Sequence, residues 1–564
     1  MPLNTINYSS RCIVDVLQSA GVEEVVACPG SRNTPLLIAL SRCQELKTTV
    51  VVDERTAGFV ALGKSLVSGA PVAVVCTSGT ALLNFAPSVA EAYYRKIPLI
   101  VISADRPVEW IDQDDSQTIR QFGAFQNFVK KSYDIPSRVE GDAKWYVNRI
   151  LNDAVMSSKM QPYGPVHINV QIPEPIGLLE EIPDSQERMI RLVAPAAELD
   201  DVDVKQLAAE LVPPRRIMII AGFSAPDKAL NGALRKLSQL PNVVVLTETL
   251  ANLRGDDFIS EIDATLSVLS EDEREDLAPD IVISFGGALV SRMVKQYIRD
   301  KKPDQHWHVG RSLTTVDCFK SLTIRIELEP RSFLCQLVTV LGRADLMSDF
   351  RRRWLVVRDS ARSLHQACIS RAPWSDLKAF SVIIPAIPRN YNLQLSNGTP
   401  VRYAQLFGEY SFHRSDCNRG VSGIDGSTST ALGAMTAYGT APTLLITGDM
   451  SAQYDVGALG SGLLTPGFKM IVMCNGGGGI FHFIKSTRDL DIVETCFDSP
   501  CVFPAEALSN AYGLRYFEAT DELSLRTSLP VFFAEKERAA MLAVMTDGEV
   551  SGRVLRDYFS QKRK

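Results

Sequence analysis

The sequence lacks several features that would at once assign the protein to a structural class. None of its eleven cysteines forms a C-x-x-C pair, so neither a zinc site nor a disulfide framework is indicated. No apolar run approaches the roughly 18 residues of a membrane-spanning helix, and the N-terminus lacks the basic-then-apolar layout of a signal peptide. We therefore expect buried free thiols, for example Cys76 and Cys474, no membrane insertion and a cytoplasmic location.

Neither sign of charge is in large excess, and histidine is scarce. The formal net charge is only -6, which disfavours non-specific nucleic-acid binding. Six histidines occur, none before His167, and no nucleophile-histidine-acid pattern is evident, so we predict no histidine base. His482, next to a glycine run, is interpreted as a structural histidine. The remaining composition, 46% hydrophobic and 22% charged, is typical of a folded enzyme.

The chain of 564 residues is too long for one hydrophobic core and suggests about three domains. From residue 23 to about 172, short β-rich runs alternate with helical patterns, which indicates a parallel sheet wound with helices. The passage QIPEPIGLLEEIPDSQER breaks this pattern as a linker, a second series covers 215–328, and a third begins near Asn392. We predict an α/β fold of three doubly wound parallel-sheet domains, at 1–180, 190–345 and 350–564.

A run of four glycines, in VMCNGGGGIFHF (472–483), directly follows an apolar strand pattern. No Lys-Ser/Thr pair follows at P-loop spacing and no G-x-G-x-x-G fits, so a direct phosphate loop is disfavoured. Asp449 ends the preceding strand 26 residues before Asn475, a spacing that predicts a βαβ unit with both side chains at one sheet edge.

A carboxylate oxygen, an amide oxygen and a backbone carbonyl of the glycine run would form an all-oxygen set suited to magnesium. The alternative is that Asp449 only caps the following helix and the glycines make a tight turn. The two segments, GDMS and NGG, together resemble the thiamine diphosphate motif, which opens on Gly-Asp and closes on Asn. The resemblance implies a metal site of Asp449, Asn475 and the backbone carbonyl of Gly477, holding magnesium, with manganese as a possible substitute.

Enzymes with this motif also need a carboxylic acid that touches the aminopyrimidine ring of the cofactor. Glu54, between a strand and a helix in TTVVVDERTAGFVALG, fits this catalytic role in the first domain. Taken alone, Glu54 could equally complement the dipole of the helix that it begins.

Further peptides narrow the resemblance. CPGSRNTPL (28–36) and CNRGVSGIDG (417–426) are similar to the 2-succinyl-5-enolpyruvyl-6-hydroxy-3-cyclohexene-1-carboxylate synthases of menaquinone biosynthesis, which belong to the superfamily of pyruvate decarboxylase and acetohydroxyacid synthase. DERTAGFVALG, CTSGTALLNFAPSVAEA and SADRP fit the same family. The resemblance implies a pyrimidine-binding first domain, a central domain and a third domain that binds diphosphate and metal.

The same resemblance implies the activity of a thiamine diphosphate-dependent transferase. Such an enzyme decarboxylates 2-oxoglutarate and adds the resulting succinyl-semialdehyde carbanion to isochorismate in a 1,4 sense, with release of CO2. Both substrates are dianions, so a site that excludes water has to match several carboxylates with cations. Arginine suits this purpose because its planar guanidinium grips a carboxylate with two hydrogen bonds.

Five arginines lie at or near predicted strand ends, although an arbitrary surface arginine is usually a solvated charge. These are Arg32, Arg106, Arg292, Arg402 and Arg419. The resemblance implies that they hold the substrates together with Ser31 and Gln117, while Ser116 and Met293 depart from the family pattern.

The resemblance also implies which residues contact the cofactor. They are Asn397, Gly398, Ser422, Gly423, Gly448 and Ser451, with Ile424 wedged beneath the cofactor and Ile480 and Phe481 lining the pocket. For Ile424 the alternative is plain core packing.

Two other functions remain open from the sequence. Another 2-oxoacid thiamine enzyme, such as an acetohydroxyacid synthase or a decarboxylase, would process monoanions and need fewer arginines. A non-catalytic scaffold of the same fold would have no use for Glu54, Asp449 and Asn475 together. Because the family pairs these residues across subunits, the resemblance implies a homodimer or homotetramer with active sites at subunit interfaces and only small-molecule substrates.

Overall fold

The computed structural model describes residues 3–182, 187–193, 197–212, 215–341, 347–408, 412–481, 486–487, 490–497 and 502–561. It contains three six-stranded parallel sheets with helices between the strands, which confirms the predicted fold class. The chain forms two compact units, unit 1 (1–194, 418–443 and 454–468) and unit 2 (195–417, 444–453 and 469–564). The three domain ranges predicted above stay a prediction.

The first sheet belongs to unit 1 and has the strand order β3-β2-β4-β5-β7-β6. Its segment contains β1 (Leu3–Thr5), α1 (Tyr8–Ser19), β2 (Glu24–Ala27), α2 (Thr34–Arg42), β3 (Lys47–Val50), α3 (Glu54–Ser68), β4 (Val72–Cys76), α4 (Ala81–Asn84), α5 (Ala86–Arg95), β5 (Leu99–Asp105), β6 (Ser132–Ile135), α6 (Asp142–Lys159), β7 (Val166–Gln171) and β8 (Leu179–Glu181). Strands β4, β5 and β7 are buried along their whole length, because helices cover both faces of a parallel sheet. Strand β1 pairs antiparallel with β8 outside this sheet.

The second sheet belongs to unit 2, in the order β11-β10-β9-β12-β13-β14. Its segment contains α7 (Asp201–Glu210), β9 (Ile217–Ala221), α8 (Lys228–Leu237), β10 (Val243–Thr247), β11 (Phe258–Ile259), α9 (Ile262–Ser267), α10 (Glu271–Asp276), β12 (Ile281–Phe285), α11 (Arg292–Lys301), β13 (Gln305–Val309), β14 (Ile324–Ile326) and α12 (Pro330–Leu341). Strands β9, β10 and β12 form its fully buried centre.

The third sheet has the order β16-β15-β17-β18-β20-β19 and lies largely in unit 2. Its segment contains α13 (Phe350–Arg371), α14 (Asp376–Ala386), β15 (Asn392–Leu395), α15 (Pro400–Ala404), β16 (Arg414–Cys417), α16 (Ser427–Ala437), β17 (Thr443–Gly448), α17 (Asp449–Tyr454), β18 (Phe468–Cys474), α18 (Ala505–Tyr512), β19 (Arg515–Ala519), α19 (Glu522–Ala534), β20 (Ala540–Met545) and α20 (Gly548–Ser560). Helix α16 is part of unit 1.

Two further expectations concern the thiols and the membrane. Cys76 and Cys474 are buried free thiols in strands, as predicted. Within the described ranges, every helix is too short or too polar to cross a bilayer.

Helices α3 and α16 of unit 1 touch each other through their backbones. A Cβ atom on Gly63 would lie 2.1 Å from the carbonyl oxygen of Thr430, and one on Gly433 would lie 2.1 Å from that of Val60. Only hydrogen fits at both crossing points, so the two glycines set how close the helices come.

The N-terminus of α3 is fixed separately by a side-chain cap. The Asp53 carboxylate accepts the backbone N–H groups of Arg55 at 2.9 Å and Thr56 at 3.2 Å, which satisfies two of the unpaired donors at a helix start. Glu54 therefore lies on the first turn of a helix whose start and axis are both held in place.

Gly63→Ala should destabilise the protein, because the added methyl group meets a backbone oxygen that has little freedom to move. Overpacking of this kind costs about 1–3 kcal/mol, measurable as a lower urea midpoint. Gly232→Ala on α8 is the matched control, since nothing lies within 4 Å of a Cβ there, and helix propensity should stabilise it by up to about 1 kcal/mol. Equal midpoints for the two variants would contradict the close helix contact.

Candidate functional site

Asp449 follows strand β17 and is only 3% exposed. Its Oδ1 atom accepts the N–H of Met450 at 2.8 Å, and its Oδ2 atom accepts the N–H groups of Gly476 and Gly477 at 3.0 Å each. The carboxylate thus joins the carboxyl ends of β17 and β18. It binds the glycine run itself and does more than cap its own helix.

The glycine run takes a backbone shape that few other residues adopt. Gly476, Gly477 and Gly478 have φ angles of 88°, 87° and 58°, which lie in the left-handed region that favours glycine. Three left-handed residues in succession turn consecutive N–H groups toward the Asp449 side, so the tight turn and the carboxylate contact occur together.

Asn475 is oriented by a second buried acid, Asp376, at the start of α14. The Asn475 Nδ2 atom donates to Asp376 Oδ2 at 3.0 Å, and the Thr546 hydroxyl donates to Asp376 Oδ1 at 2.6 Å. Because the amide nitrogen faces Asp376, the amide oxygen of Asn475 faces away from it. This fixes which atom of Asn475 is available as a ligand.

Asp449 and Asp376 are two carboxyl groups that lie close together and are buried away from water. Burial raises the pKa of both the Asp449 and the Asp376 carboxyl groups, and the charge of Asp449 adds to the rise at Asp376. In the part of the chain that the structure describes, neither acid forms an ion pair with lysine or arginine. A divalent cation coordinated by Asp449 would offset this charge, and the residues present therefore fit one.

The donors at this site are oxygen atoms of different kinds. Across the described ranges, no group of three or more histidine, cysteine, aspartate and glutamate side chains is placed to hold a metal ion. A metal at Asp449 would therefore depend on amide and carbonyl oxygens beside one carboxylate, which suits a hard cation such as magnesium.

Asn397 and Gly398 approach the same sheet edge from β15. The N–H of Gly448 donates to Ser396 Oγ at 3.3 Å, which places the ends of β15 and β17 side by side. Gly398 has a φ of 89°, and Ser451 is buried on α17. Unit 2 therefore brings together the predicted cofactor residues Asn397, Gly398, Gly448, Asp449, Ser451, Asn475 and Gly477.

Ile480 and Phe481 continue directly from the glycine run and are both half-buried. The N–H of Phe481 donates to the carbonyl oxygen of Gly478 at 2.7 Å, and its ring lies 5.2 Å from the Phe497 ring. Their position is consistent with a pocket wall. His482 lies outside the described residues.

Arg292 and Arg402 are the two predicted substrate arginines of unit 2. Arg292 begins α11 and is exposed, directly after Ser291, whose hydroxyl donates to Asp263. Arg402, on α15, is half-buried, and its charge opposes the rise that burial causes in the pKa of Asp263. Asp263 therefore lies near Arg402 and near Ser291, the residue before Arg292.

Arg32 and Arg106 lie at the carboxyl edge of the unit 1 sheet. The guanidinium of Arg32, 5% exposed, donates to the carbonyl oxygen of Ile172 at 2.9 Å and pairs with Glu174 at 3.0 Å. Arg106 donates to the carbonyl oxygen of Ser116 at 2.8 Å. Arg106 also pairs with Asp115 at 3.0 Å, so each of the two guanidinium groups is held by one backbone carbonyl and one carboxylate.

Ser31 and Gln117 complete this predicted group. Ser31 is exposed, and its carbonyl oxygen accepts the N–H of Thr34 at 3.1 Å. Gln117 has a φ of 55° and its backbone lies 3.4 Å from the Cβ position of Gly79, which follows β4. The structure therefore gathers Ser31, Arg32, Arg106 and Gln117 around the ends of β2, β4 and β5.

Glu54 is half-buried at the first position of α3. Burial raises the pKa of the Cys76 thiol, at the end of β4, and the negative charge of Glu54 adds to this rise. Glu54 therefore lies near the same edge of the sheet as the arginine group.

The remaining predicted residues share one loop of unit 1, between β16 and α16. Ser422 has a φ of 65°, and Ile424 is 37% exposed, so plain core packing of Ile424 is excluded in this chain. Arg419 and Gly423 complete this loop.

Several buried acids around these groups escaped the sequence analysis. Asp376 contacts residues 99 and 170 positions away, and Glu248 accepts the N–H groups of Val290 and Ser291 at 2.8 and 2.7 Å. Asp105 is fully buried beside Arg106, and burial raises its pKa to about 6. Its place at the end of strand β5 was the one signal available from the sequence.

Comparisons with known proteins agree with this geometry. Residues 9–124 match a family described as thiamine pyrophosphate enzyme, N-terminal TPP binding domain. A 2-succinyl-5-enolpyruvyl-6-hydroxy-3-cyclohexene-1-carboxylate synthase of Porphyromonas gingivalis is 41% identical, over 97% of this chain and 96% of its own length. Synthases of the same name from Flavobacterium psychrophilum and Flavobacterium johnsoniae are 36% and 34% identical, over 98% of both chains in each comparison.

The fold and the matched domain define an enzyme that depends on thiamine pyrophosphate, also called thiamine diphosphate. The three relatives named above share one name within that class. The chain belongs to the family of 2-succinyl-5-enolpyruvyl-6-hydroxy-3-cyclohexene-1-carboxylate synthases. The resemblance stated from the sequence is confirmed, and it is favoured over an acetohydroxyacid synthase, a decarboxylase or a scaffold.

Thr546→Val should destabilise the protein, because it leaves one oxygen of the buried Asp376 carboxylate without its 2.6 Å donor. An unsatisfied buried acceptor costs about 1–3 kcal/mol, which thermal unfolding without added metal would detect. Thr339→Val is the matched control, since the Thr339 hydroxyl is exposed on α12 and bonds only a local carbonyl. A melting temperature like that of the control would contradict the role assigned to this contact.

Proposed function

We propose that this chain joins 2-oxoglutarate to isochorismate, giving 2-succinyl-5-enolpyruvyl-6-hydroxy-3-cyclohexene-1-carboxylate and CO2, a step of menaquinone biosynthesis. The observation that carries the proposal is the identity of 34–41% to synthases of that name over at least 97% of the chain. The thiamine pyrophosphate domain at 9–124 supports the cofactor. The many strand-end arginines support substrates with several carboxylates.

A magnesium ion would be held by the Asp449 carboxylate, the Asn475 amide oxygen and the backbone carbonyl of Gly477. Three observations support this set: Asp449 binds the glycine run, Asp376 orients the Asn475 amide, and both acids are buried without a cationic partner in the described ranges. The metal would neutralise charge on Asp449 and on the cofactor diphosphate. Manganese has the same preference for oxygen ligands.

Thiamine diphosphate, when bound, supplies a carbon centre that stabilises negative charge after loss of CO2. Glu54 would hold a proton at the aminopyrimidine ring of the cofactor, and Ile424 would support the cofactor from below. Asn397, Gly398, Ser422, Gly423, Gly448 and Ser451 would bind the cofactor, while Ile480 and Phe481 would exclude water from the reacting centre.

Substrate recognition is proposed for the arginines. Arg32, Arg106, Arg292, Arg402 and Arg419, with Ser31 and Gln117, would pair the carboxylates and hydroxyl of the two substrates. Each carboxylate left unpaired in a dry site would cost several kcal/mol, so a monoanionic substrate such as pyruvate would leave arginines unmatched. This argument favours dianionic substrates.

Assembly is also part of the proposal. In the family that the chain resembles, the acid of one subunit meets the cofactor held by its partner, so we propose a homodimer or homotetramer with active sites at subunit interfaces. The pyrimidine-binding, central and diphosphate-binding roles would fall to 1–180, 190–345 and 350–564. Analytical ultracentrifugation would test the oligomeric state directly.

The proposed reaction predicts that isochorismate absorbance falls only when enzyme, magnesium, thiamine diphosphate and 2-oxoglutarate are all present. Replacing 2-oxoglutarate by pyruvate should abolish the change, because the arginine set would then lack a carboxylate partner. Consumption of pyruvate with isochorismate left intact would contradict the proposed function and favour a different 2-oxoacid enzyme.

Glu54→Gln provides the matched variant in the same assay. It keeps the size of the side chain but replaces the carboxyl group by an amide, so turnover should be lost while thiamine diphosphate still binds with nearly unchanged affinity. A turnover rate close to the wild-type rate would refute the assignment of Glu54 as the acid.

Asp449→Ala should weaken binding of thiamine diphosphate in the presence of magnesium, because the only carboxylate in the proposed ligand set is removed. The expected loss is at least about tenfold, since even an outer contact to a metal ligand is worth 10–100-fold. Isothermal titration calorimetry measures it directly. Asp153→Ala, at an exposed ion pair with Lys131, should leave the affinity unchanged.

A further inference from the structure

The loop 419–425 of unit 1 carries four of the residues proposed to meet substrate or cofactor. Val421, Ser422 and Ile424 are exposed along it, so the loop gains little stability from burial of its own side chains. Its proposed task nevertheless requires a defined shape, because Arg419 and Ile424 have to face different molecules. A contact that fixes the loop backbone would contribute to that shape.

Glu91 of helix α5 makes that contact. Its Oε1 atom accepts the N–H of Gly420 at 2.7 Å, and its Oε2 atom accepts the N–H of Val421 at 2.8 Å. The side chain is only 1% exposed. One carboxylate thus binds two consecutive backbone groups, immediately after Arg419 and immediately before Ser422.

The approach is close enough to require glycine at the first of these positions. A Cβ atom on Gly420 would lie 2.8 Å from the Glu91 carbonyl oxygen and 2.9 Å from Glu91 Oε2. The loop backbone therefore rests directly on α5, and its position follows from the position of Glu91.

The other end of the loop has an independent anchor. A Cβ atom on Gly426, directly after the loop, would lie 2.3 Å from the ring of Phe59 on α3. The start of the loop is held further by Asn418, whose Nδ2 atom donates to Thr430 Oγ1 on α16 at 3.0 Å. Glu91 at one end and this packing at the other enclose a segment short enough to have few alternative conformations.

The buried carboxylate depends on the loop in return. Burial raises the pKa of Glu91, whereas Arg95 and the two N–H groups of the loop lower it. Hydrogen bonds to a charged acceptor are among the stronger ones in proteins. The same arrangement occurs at Glu248, which accepts the N–H groups of Val290 and Ser291 just before Arg292.

We propose that Glu91 is a positioning residue, whose carboxylate holds the loop 419–425 in one conformation. In this conformation Arg419 faces a substrate carboxylate, and the residues 422–424 face thiamine diphosphate. The inference rests on the function proposed above for these loop residues. Glu91 acts through the loop backbone and has no part in the chemical step.

The test compares Glu91→Gln and Glu91→Ala with the wild-type enzyme, with magnesium present throughout. Glu91→Gln keeps one acceptor oxygen but turns an amide NH2 toward a backbone donor, so one of the two hydrogen bonds is lost. The dissociation constant of thiamine diphosphate should rise about tenfold, the equivalent of one hydrogen bond to a charged group. Glu91→Ala loses both bonds and should show a larger rise, and KM for the substrates should rise more than kcat falls.

Ser65→Ala is the control for a merely structural effect. The Ser65 hydroxyl is buried in unit 1 and donates to the carbonyl oxygens of Ala70 and Pro98, remote in sequence from the loop. It should lower the melting temperature without changing cofactor affinity or KM. If Glu91→Gln behaves in the same way, Glu91 is structural and the proposal is wrong.

The proposed function and the proposed role of Glu91 can be contradicted by different experiments. Calorimetry with thiamine diphosphate needs no substrate, so it reports on Glu91 whichever reaction the enzyme performs. A wild-type enzyme that spares isochorismate would overturn the proposed function, while a weakened cofactor affinity in Glu91→Gln would still support the positioning role. If Glu91→Ala fails to fold, the isosteric Glu91→Gln alone decides.

Discussion

The bond between the buried Asp449 carboxylate and the backbone of the glycine run is the constraint on which the candidate metal site depends. A buried carboxylate without partners would cost several kcal/mol, and Asp449 avoids this with three backbone N–H groups. The glycines supply two of these groups because their φ angles are positive. The carboxylate therefore fixes the backbone of the glycine run, and the glycine run satisfies the carboxylate. Asn475 directly precedes this run, so its backbone is fixed as well, and the hydrogen bond to Asp376 fixes the orientation of its side chain.

The same physical device recurs away from the metal site. Glu91, Glu248 and Asp455 are almost fully buried, and each receives two hydrogen bonds from another segment. A carboxylate can accept two parallel donors in one plane, so it fixes both the position and the direction of a loop. The protein achieves with hydrogen bonds what a secreted protein of loop-rich structure achieves with disulfides.

The sequence predicted the parts of the structure that follow from local pattern and topology. Parallel strands buried on both faces appear as short apolar runs, and the 26 residues between Asp449 and Asn475 fit one βαβ unit, so their adjacency could be foreseen. The partners of Glu91 lie 329 and 330 residues away. They are also backbone groups, which every residue but proline possesses, so no side-chain pattern marks them. The exposure of Ile424 likewise depends on a loop shape that composition does not encode.

The contacts of Glu91 also explain physically why two of the peptides that resemble the family occur together in one chain. CTSGTALLNFAPSVAEA contains Glu91, and CNRGVSGIDG contains Gly420 and Val421, so one peptide binds the backbone of the other. DERTAGFVALG joins them, because its Phe59 packs on Gly426. Two neighbouring segments and a third that is far from them in the chain thus form one packed body within unit 1. Glu54 and the loop with Arg419 both belong to this body.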